Sequence, residues 1–247
     1  MNCRLAALTA FLGVAQPAWA GAWARDAGSF YAKVGAGHFA GSEDRAKLRS
    51  TALELYGEAG LGNSWELDLS ARGAQSTVRK ARETAAQDLE VVGKYAPLEG
   101  ASAVALLIGA RVSLFPKDLD PALGPDGSGL IIGGAVGRGL GPAWVNFDVM
   151  QLARLGPTGA PRLGAEVGLM GQSPVGGALT VSFQPEIART GLRATVGSAP
   201  YAMALGAKAF SATTKGGWGL TADGAWLPEG VNDSPGFRVG GGLVFSR

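Results

Sequence analysis

Cysteine is all but missing from this chain of 247 residues: there is one, Cys3. It lies in a leader. Met1-Asn2-Cys3-Arg4 gives a basic start, Leu5 to Val14 an apolar run, and Ala18-Trp19-Ala20 a small-x-small end. These are the three parts of a secretory signal peptide cut after Ala20. The apolar run is too short for a membrane anchor, which needs roughly 20 apolar residues. Cys3 also stands too far ahead of the cut for lipoprotein processing there. The expected mature chain, residues 21–247, is one domain with no disulfide, no thiol nucleophile and no cysteine metal site. Small exported domains usually rely on disulfides. An exported chain of this length without any suits a fold whose backbone closes on itself.

Histidine is equally scarce, with His38 alone. A Ser-His-Asp hydrolase needs an imidazole within reach of a serine. Alternation instead puts His38 on the side of Phe30 and Val34. Barrel phospholipases carry a histidine and a serine two apart on one strand, and here the residue after next is Ala40. One histidine leaves no zinc site. No enzyme and no cofactor is expected. Charge of one sign is lacking too: 22 basic residues, of which Arg4 is in the leader, stand against 20 acidic ones. That excludes the basic stripe that nucleic acid requires. Beyond the leader no apolar run approaches a membrane helix. The longest, Ala101 to Leu114, is interrupted by Arg111.

What is present is alternation. In Thr51–Arg72, the set Thr51, Leu53, Leu55, Gly57, Ala59 and Leu61 interleaves with Glu54, Tyr56 and Glu58. After a turn at Gly62-Asn63, the set Trp65, Leu67, Leu69 and Ala71 interleaves with Glu66, Asp68, Ser70 and Arg72. A period of two is that of a strand with two unlike faces. Glycine and asparagine supply the positive φ of a tight hairpin. The 40 glycines have no collagen period and fall within such segments, where they mark bends or close backbone approach.

Twelve segments alternate: Ser29–Phe39, Thr51–Leu61, Trp65–Arg72, Asp88–Ala96, Ser102–Phe115, Leu130–Arg138, Ala143–Leu152, Arg162–Met170, Leu179–Ile187, Tyr201–Phe210, Trp218–Leu227 and Gly236–Ser246. The gaps Ala40–Ser50, Gly73–Gln87, Pro116–Gly129, Ala153–Pro161, Ala188–Pro200 and Pro228–Pro235 read as long loops, and most of those between them as short turns. This pattern predicts an all-β fold, a transmembrane antiparallel up-and-down β-barrel of about 12 strands (10 and 14 being the alternatives), with both termini on the short-turn, periplasmic side.

One face of every segment is apolar, as in Leu53, Leu55, Val104, Leu106, Ile108, Phe147, Leu220 and Phe237. Only Arg138 interrupts these stripes, at a strand end. A lysine or arginine toward lipid near the bilayer midplane costs about 2–4 kcal/mol, which explains the lack of charge on this face. A soluble sandwich core would also exclude charge, but it does not need twelve stripes of bilayer length. The other face gives the candidate lumen-lining residues: Lys33, Glu54, Glu58, Glu66, Asp68, Arg72, Asp88, Glu90, Lys94, Arg111, Asp148, Arg162, Glu166, Glu186, Lys208, Asp223 and Arg238, with Asn146 and Gln184. Tyr95, Trp144, Tyr201, Trp218 and Trp226 lie near strand ends and are expected in interfacial belts.

Other chemistry is thin. Gly133–Gly139 is glycine-rich but opens no helix, so it is not a phosphate loop. Asp118, Asp120 and Asp126 have the ligand type for calcium, with a solvated loop as the ordinary reading. Glu66 and Asp68 lie two apart on one face among bases, which reads as lumen polarity and not as an acid–base pair.

The last segment, with Phe237, Val239, Gly241, Leu243 and Phe245, resembles the C-terminal signal by which the barrel assembly machinery recognises bacterial outer-membrane proteins. It departs from that signal in that Ser246 and Arg247 follow the aromatic. Asp88–Tyr95 with Pro97–Gly100, and the opening Gly21-Ala22-Trp23 and Gly28–Tyr31, are similar to small proteobacterial barrels, XagA-like ones among them. The resemblance implies a Gram-negative outer-membrane barrel in contact with lipid, and no established activity. Two function classes stay open. One is a narrow passive channel for small solutes, with a mixed-charge lumen. The other is a structural or cell-surface barrel whose lumen is closed by ion pairs.

Overall fold

A computed structural model describes residues 22–43, 46–78, 81–98, 100–114, 128–141, 143–154, 161–170, 175–185, 201–211, 217–228 and 236–247. Twelve strands follow one another: β1 (Phe30–Glu43), β2 (Ala46–Gly62), β3 (Trp65–Val78), β4 (Ala81–Leu98), β5 (Ser102–Ser113), β6 (Gly129–Leu140), β7 (Ala143–Arg154), β8 (Pro161–Met170), β9 (Val175–Pro185), β10 (Tyr201–Ser211), β11 (Gly217–Leu227) and β12 (Gly236–Ser246). Each pairs antiparallel with the next, and β12 pairs with β1 to close the ring. Closure removes the two edges that an open sheet would leave unpaired. The protein is thus an all-β, closed 12-strand antiparallel barrel.

The twelve expected segments all appear, and the tightest turn follows from its residues. Gly62 pairs with Trp65, leaving Asn63 and Ser64 as a two-residue loop. Both have positive φ, 52° and 63°. This is the primed hairpin geometry, whose twist matches that of its strands.

Two expected loops are mostly strand. Ala40–Ser50 and Gly73–Gln87 extend β1 to β4 to 14, 17, 14 and 18 residues, against 10 to 12 elsewhere. Pairing continues to Glu43↔Ala46 and Val78↔Ala81. At about 3.3 Å per residue, 18 residues run ~60 Å, well past an apolar band ~25 Å tall even when tilted. Beyond lipid both faces meet water. The apolar–polar alternation that marks a strand is lost there, while the backbone ladder goes on. The loops expected within 115–127, 155–160, 186–200 and 229–235 lie outside the described residues, as do the leader and the candidate calcium ligands Asp118, Asp120 and Asp126.

The outward face is apolar from strand to strand: Leu53, Ile108, Leu179 and Leu220 are each more than 60% exposed. Aromatic rings gather at the end that holds Phe30 and Ser246. Trp65 stacks on Tyr95 at 4.8 Å, and Phe245 meets Phe30 at 5.3 Å and Trp218 at 5.1 Å. Trp226 and its register partner Phe237 mark the other end. Trp218 and Trp226 are eight residues apart on β11, about 26 Å along a strand. Two girdles flanking an apolar band of this height are the outer surface of a membrane barrel.

Candidate functional site

The inner wall is where chemistry can reside, because alternation sends most charges of the strands there, with exposed Arg49 and Arg138 among the exceptions. Its densest polar part spans β1 to β5 and β11 to β12, with a further ion pair between β8 and β10. At its centre, Arg72 on β3 reaches Asp88 at 3.3 Å and Glu90 at 2.6 Å on β4. Arg111 on β5 reaches Glu90 at 2.6 Å and Asp88 at 3.8 Å. Strand register makes this pattern: Arg72 faces Asp88 and Glu90 faces Arg111, so cross-strand neighbours carry opposite sign. Lys33 holds Glu54 at 3.2 Å, and Arg238 holds Asp223 at 3.1 Å. Lys94 pairs with Glu66, and Lys208 with Glu166. Asp68 is fully buried beside them, and neither of its carboxylate oxygens has a hydrogen-bond partner among the described residues. Buried ion pairs gain strength from low dielectric but lose hydration, so losing one member costs more than forming the pair gains.

The arrangement brings together fourteen of the seventeen residues expected on the inner face. Lys33, Glu54, Glu66, Asp68, Arg72, Asp88, Glu90, Lys94 and Arg238 are buried. Glu58, Arg111, Glu166, Lys208 and Asp223 are in ion pairs. Asp148 lies over Gly164 on the adjacent strand. Arg162 is placed in β8 by its backbone alone, and Glu186 lies outside the described residues. His38 is exposed on the outer face, its Nδ1 3.1 Å from the Thr51 hydroxyl. Gly133–Gly139 runs within β6 as regular strand.

Trp144 corrects an expectation. It points inward, not to an interfacial belt: its indole N–H donates to Glu166 at 3.0 Å and its ring covers Gly168. The reason is parity, since Trp144 shares a face with Asn146 and Asp148.

Two features of the lumen escaped the charge pattern. Tyr56, Val92, Leu107, Ile131 and Met150 form an apolar cluster inside the barrel, each 1–4% exposed, with Tyr31 against it. Register places Gly109 opposite both Val92 and Ile131, and Gly133 opposite both Leu107 and Met150. Large and absent side chains therefore interdigitate. Alternation of apolar outside with apolar inside has little contrast, so nothing in the sequence of β5 and β6 marks the inward apolar residues as a cluster.

The second feature is the segment before β1. Residues 22–29 turn into the barrel and follow its inner wall from β2 to β7. Gly28 donates to the Gly60 carbonyl at 2.9 Å, and the Arg25 backbone N–H to Glu66 at 2.7 Å. The Arg25 guanidinium pairs with Glu58 and lies over the Tyr31 ring. The Trp23 indole donates to the Gly100 carbonyl at 2.9 Å, and the Ala22 N–H to the Asn146 side chain at 3.1 Å. Ala96, Ala103, Ala105 and Ala135 pack around fully buried Ala22. A run of small inward residues at one level of neighbouring strands was the signal in the sequence.

Opposite the apolar cluster, along the β1–β12 seam, a polar cavity remains. Lys33, Glu54, Arg72, Asp223 and Arg238 line it, and Gly35, Gly37 and Gly241 leave it its width.

A closed barrel with an apolar outer band, aromatic girdles and a charged interior has the architecture of a transmembrane β-barrel. No family model and no curated protein matches the sequence. Solved structures do match. An outer membrane channel from Pseudomonas putida F1 superposes with a TM-score of 0.68 at 13% identity, covering 94% of this chain and 99% of that one. The translocator domain of the autotransporter NalP from Neisseria meningitidis gives 0.51 at 11% identity, covering 90% and 89%. At these identities the likeness is one of fold.

Proposed function

We propose that this protein is an outer-membrane barrel, exported by a cleaved leader, that serves as a narrow passive channel for small polar solutes. The observation that carries the reading is the cavity along the β1–β12 seam, lined by charges of both signs and floored by glycine. Mixed charge favours weak selectivity over capture of one ion. Lipid and the barrel assembly machinery are the partners this reading implies. A structural barrel with a closed lumen is the competing reading, and the apolar cluster of Tyr56, Val92, Leu107, Ile131 and Met150 favours it. Planar-bilayer recording of the refolded protein separates the two. Small discrete conductance steps are expected, and silence across repeated insertions would refute the channel.

A further inference from the structure

We propose that the inner wall of β2 to β7 is a peptide-binding groove, that residues 22–28 are its ligand in the same chain, and that leaving the groove opens the barrel. The gating part rests on the channel reading above; the groove does not.

The wall is shaped to this segment. A Cβ on Gly137 would lie 2.5 Å from the Trp23 ring, and one on Gly60 would lie 2.1 Å from the Asp26 carbonyl oxygen. Both positions admit the segment only as glycine. The four alanines around Ala22 continue the groove. Charge complements shape. Glu58, Glu66 and Asp68 crowd one level of the wall, and Lys94 is the strand cation paired there. Arg25 supplies a second, through its side chain to Glu58 and its backbone to Glu66. Tyr31 and Tyr56 complete the seat without adding charge at neutral pH.

The segment is also built to leave. Before Gly28, whose N–H meets the Gly60 carbonyl of β2, the segment joins no strand ladder, and Ala22, Trp23 and Arg25 hold it by separate side-chain and carbonyl contacts. The Arg25 side chain is 31% exposed, so water reaches the latch. Gly28, at φ +77° with open space where a Cβ would be, supplies a hinge two residues before β1. The groove's occupant is therefore a short peptide, closed by a turn, with a tryptophan two residues before an arginine.

The exported chain has no cysteine once the leader is cut, so single-cysteine variants report the position of the segment. Ala22→Cys, fully buried, should react with a bulky polar maleimide more than an order of magnitude more slowly than exposed Ala27→Cys. Adding Arg25→Glu, which sets a fourth acid beside three, should erase the difference; Arg25→Lys should preserve it. Gly137→Leu, which fills the Trp23 seat without changing charge, should also release Ala22→Cys. In planar bilayers, Arg25→Glu and Gly137→Leu should each raise unitary conductance several-fold over the unaltered chain. Heat-modifiable gel mobility confirms that each variant is folded. Equal labelling of Ala22→Cys and Ala27→Cys in the unaltered chain would overturn the groove. Release without a change in conductance would overturn the gate while leaving the channel standing. Silence of both the unaltered and the released protein, with Ala22→Cys still protected in the former, would refute the channel and its gate but leave the groove in place.

Discussion

Arg72 is the charge whose removal should be felt most. Its side chain is 2% exposed and touches two carboxylates, Asp88 and Glu90, exposed 1% and 0%. Arg72→Met keeps the length and the apolar stem but removes one of the two guanidinium groups that meet Asp88 and Glu90. Breaking a buried pair by removing one member costs about 3–5 kcal/mol. Arg111 reaches Glu90 closely at 2.6 Å but Asp88 only at 3.8 Å, so Asp88 carries most of the deficit. The lower end of that range, about 3 kcal/mol, is the expected loss. Asp88→Asn added to Arg72→Met should recover more than half of it, because the uncompensated charge is then gone. The assay is urea titration of the barrel refolded in lipid vesicles, read by heat-modifiable mobility and tryptophan emission. A loss below about 1 kcal/mol for Arg72→Met, the range of exposed pairs, would show that water fills this part of the lumen, and the argument from burial would fail. An Asp88→Asn change that adds to the damage instead of relieving it would refute the network as drawn.

Three further outcomes follow from the wall. Ile108→Arg, at the middle of the outer face of β5, should destabilise by about 2–4 kcal/mol in the same titration, and a silent substitution would mean that this face does not meet lipid. A variant keeping only Trp218 should be quenched by brominated lipid, whereas one keeping only Trp144 should not; strong quenching of Trp144 would contradict its place against Glu166. Thr84→Cys, at the long-strand end, should be labelled by an impermeant maleimide on intact cells, and Asn63→Cys only after the outer membrane is opened; the reverse would invert the orientation.

Strand count, pairing order and the two faces were legible in the sequence because lipid imposes a contrast at every second residue. Where that contrast ends, reading ended too. Around Thr77, Arg82 and Glu83 the sequence has no apolar alternation, while the backbone ladder continues. Trp144 was misplaced because an aromatic near a strand end suits a belt as readily as a lumen, and only its parity with Asn146 decides. The ion pairs of the site were half visible. Opposite signs on one face were evident, but which cation meets which acid depends on register. The bulge that pairs Arg72 with Asp88, then Gly73 with Ala86, leaves no mark in composition. The groove for residues 22–28 was hidden for another reason. Alanine and glycine announce absence, and what fills the absence comes from elsewhere in the chain.

The seam between β1 and β12 also sets an order in time. Neighbouring strands elsewhere are joined by local hairpins, whereas Tyr31 meets Ser246 and His38 meets Val239 across some two hundred residues. Contacts so distant form late, after the local ones have reduced the loop to be closed. The segment of residues 22–28, a strap across the inner wall, ends at Gly28 just short of β1, and the backbone of Phe30 exchanges two hydrogen bonds with Arg247, both 2.9 Å. Ring closure therefore fixes the doorway through which residues 22–28 enter. A strap already lying on the nascent inner wall is enclosed as the seam zips, while one left outside must later thread back past a finished rim. Refolding should then yield two populations, distinguishable by the protection of Ala22, whose ratio is decided by which event comes first.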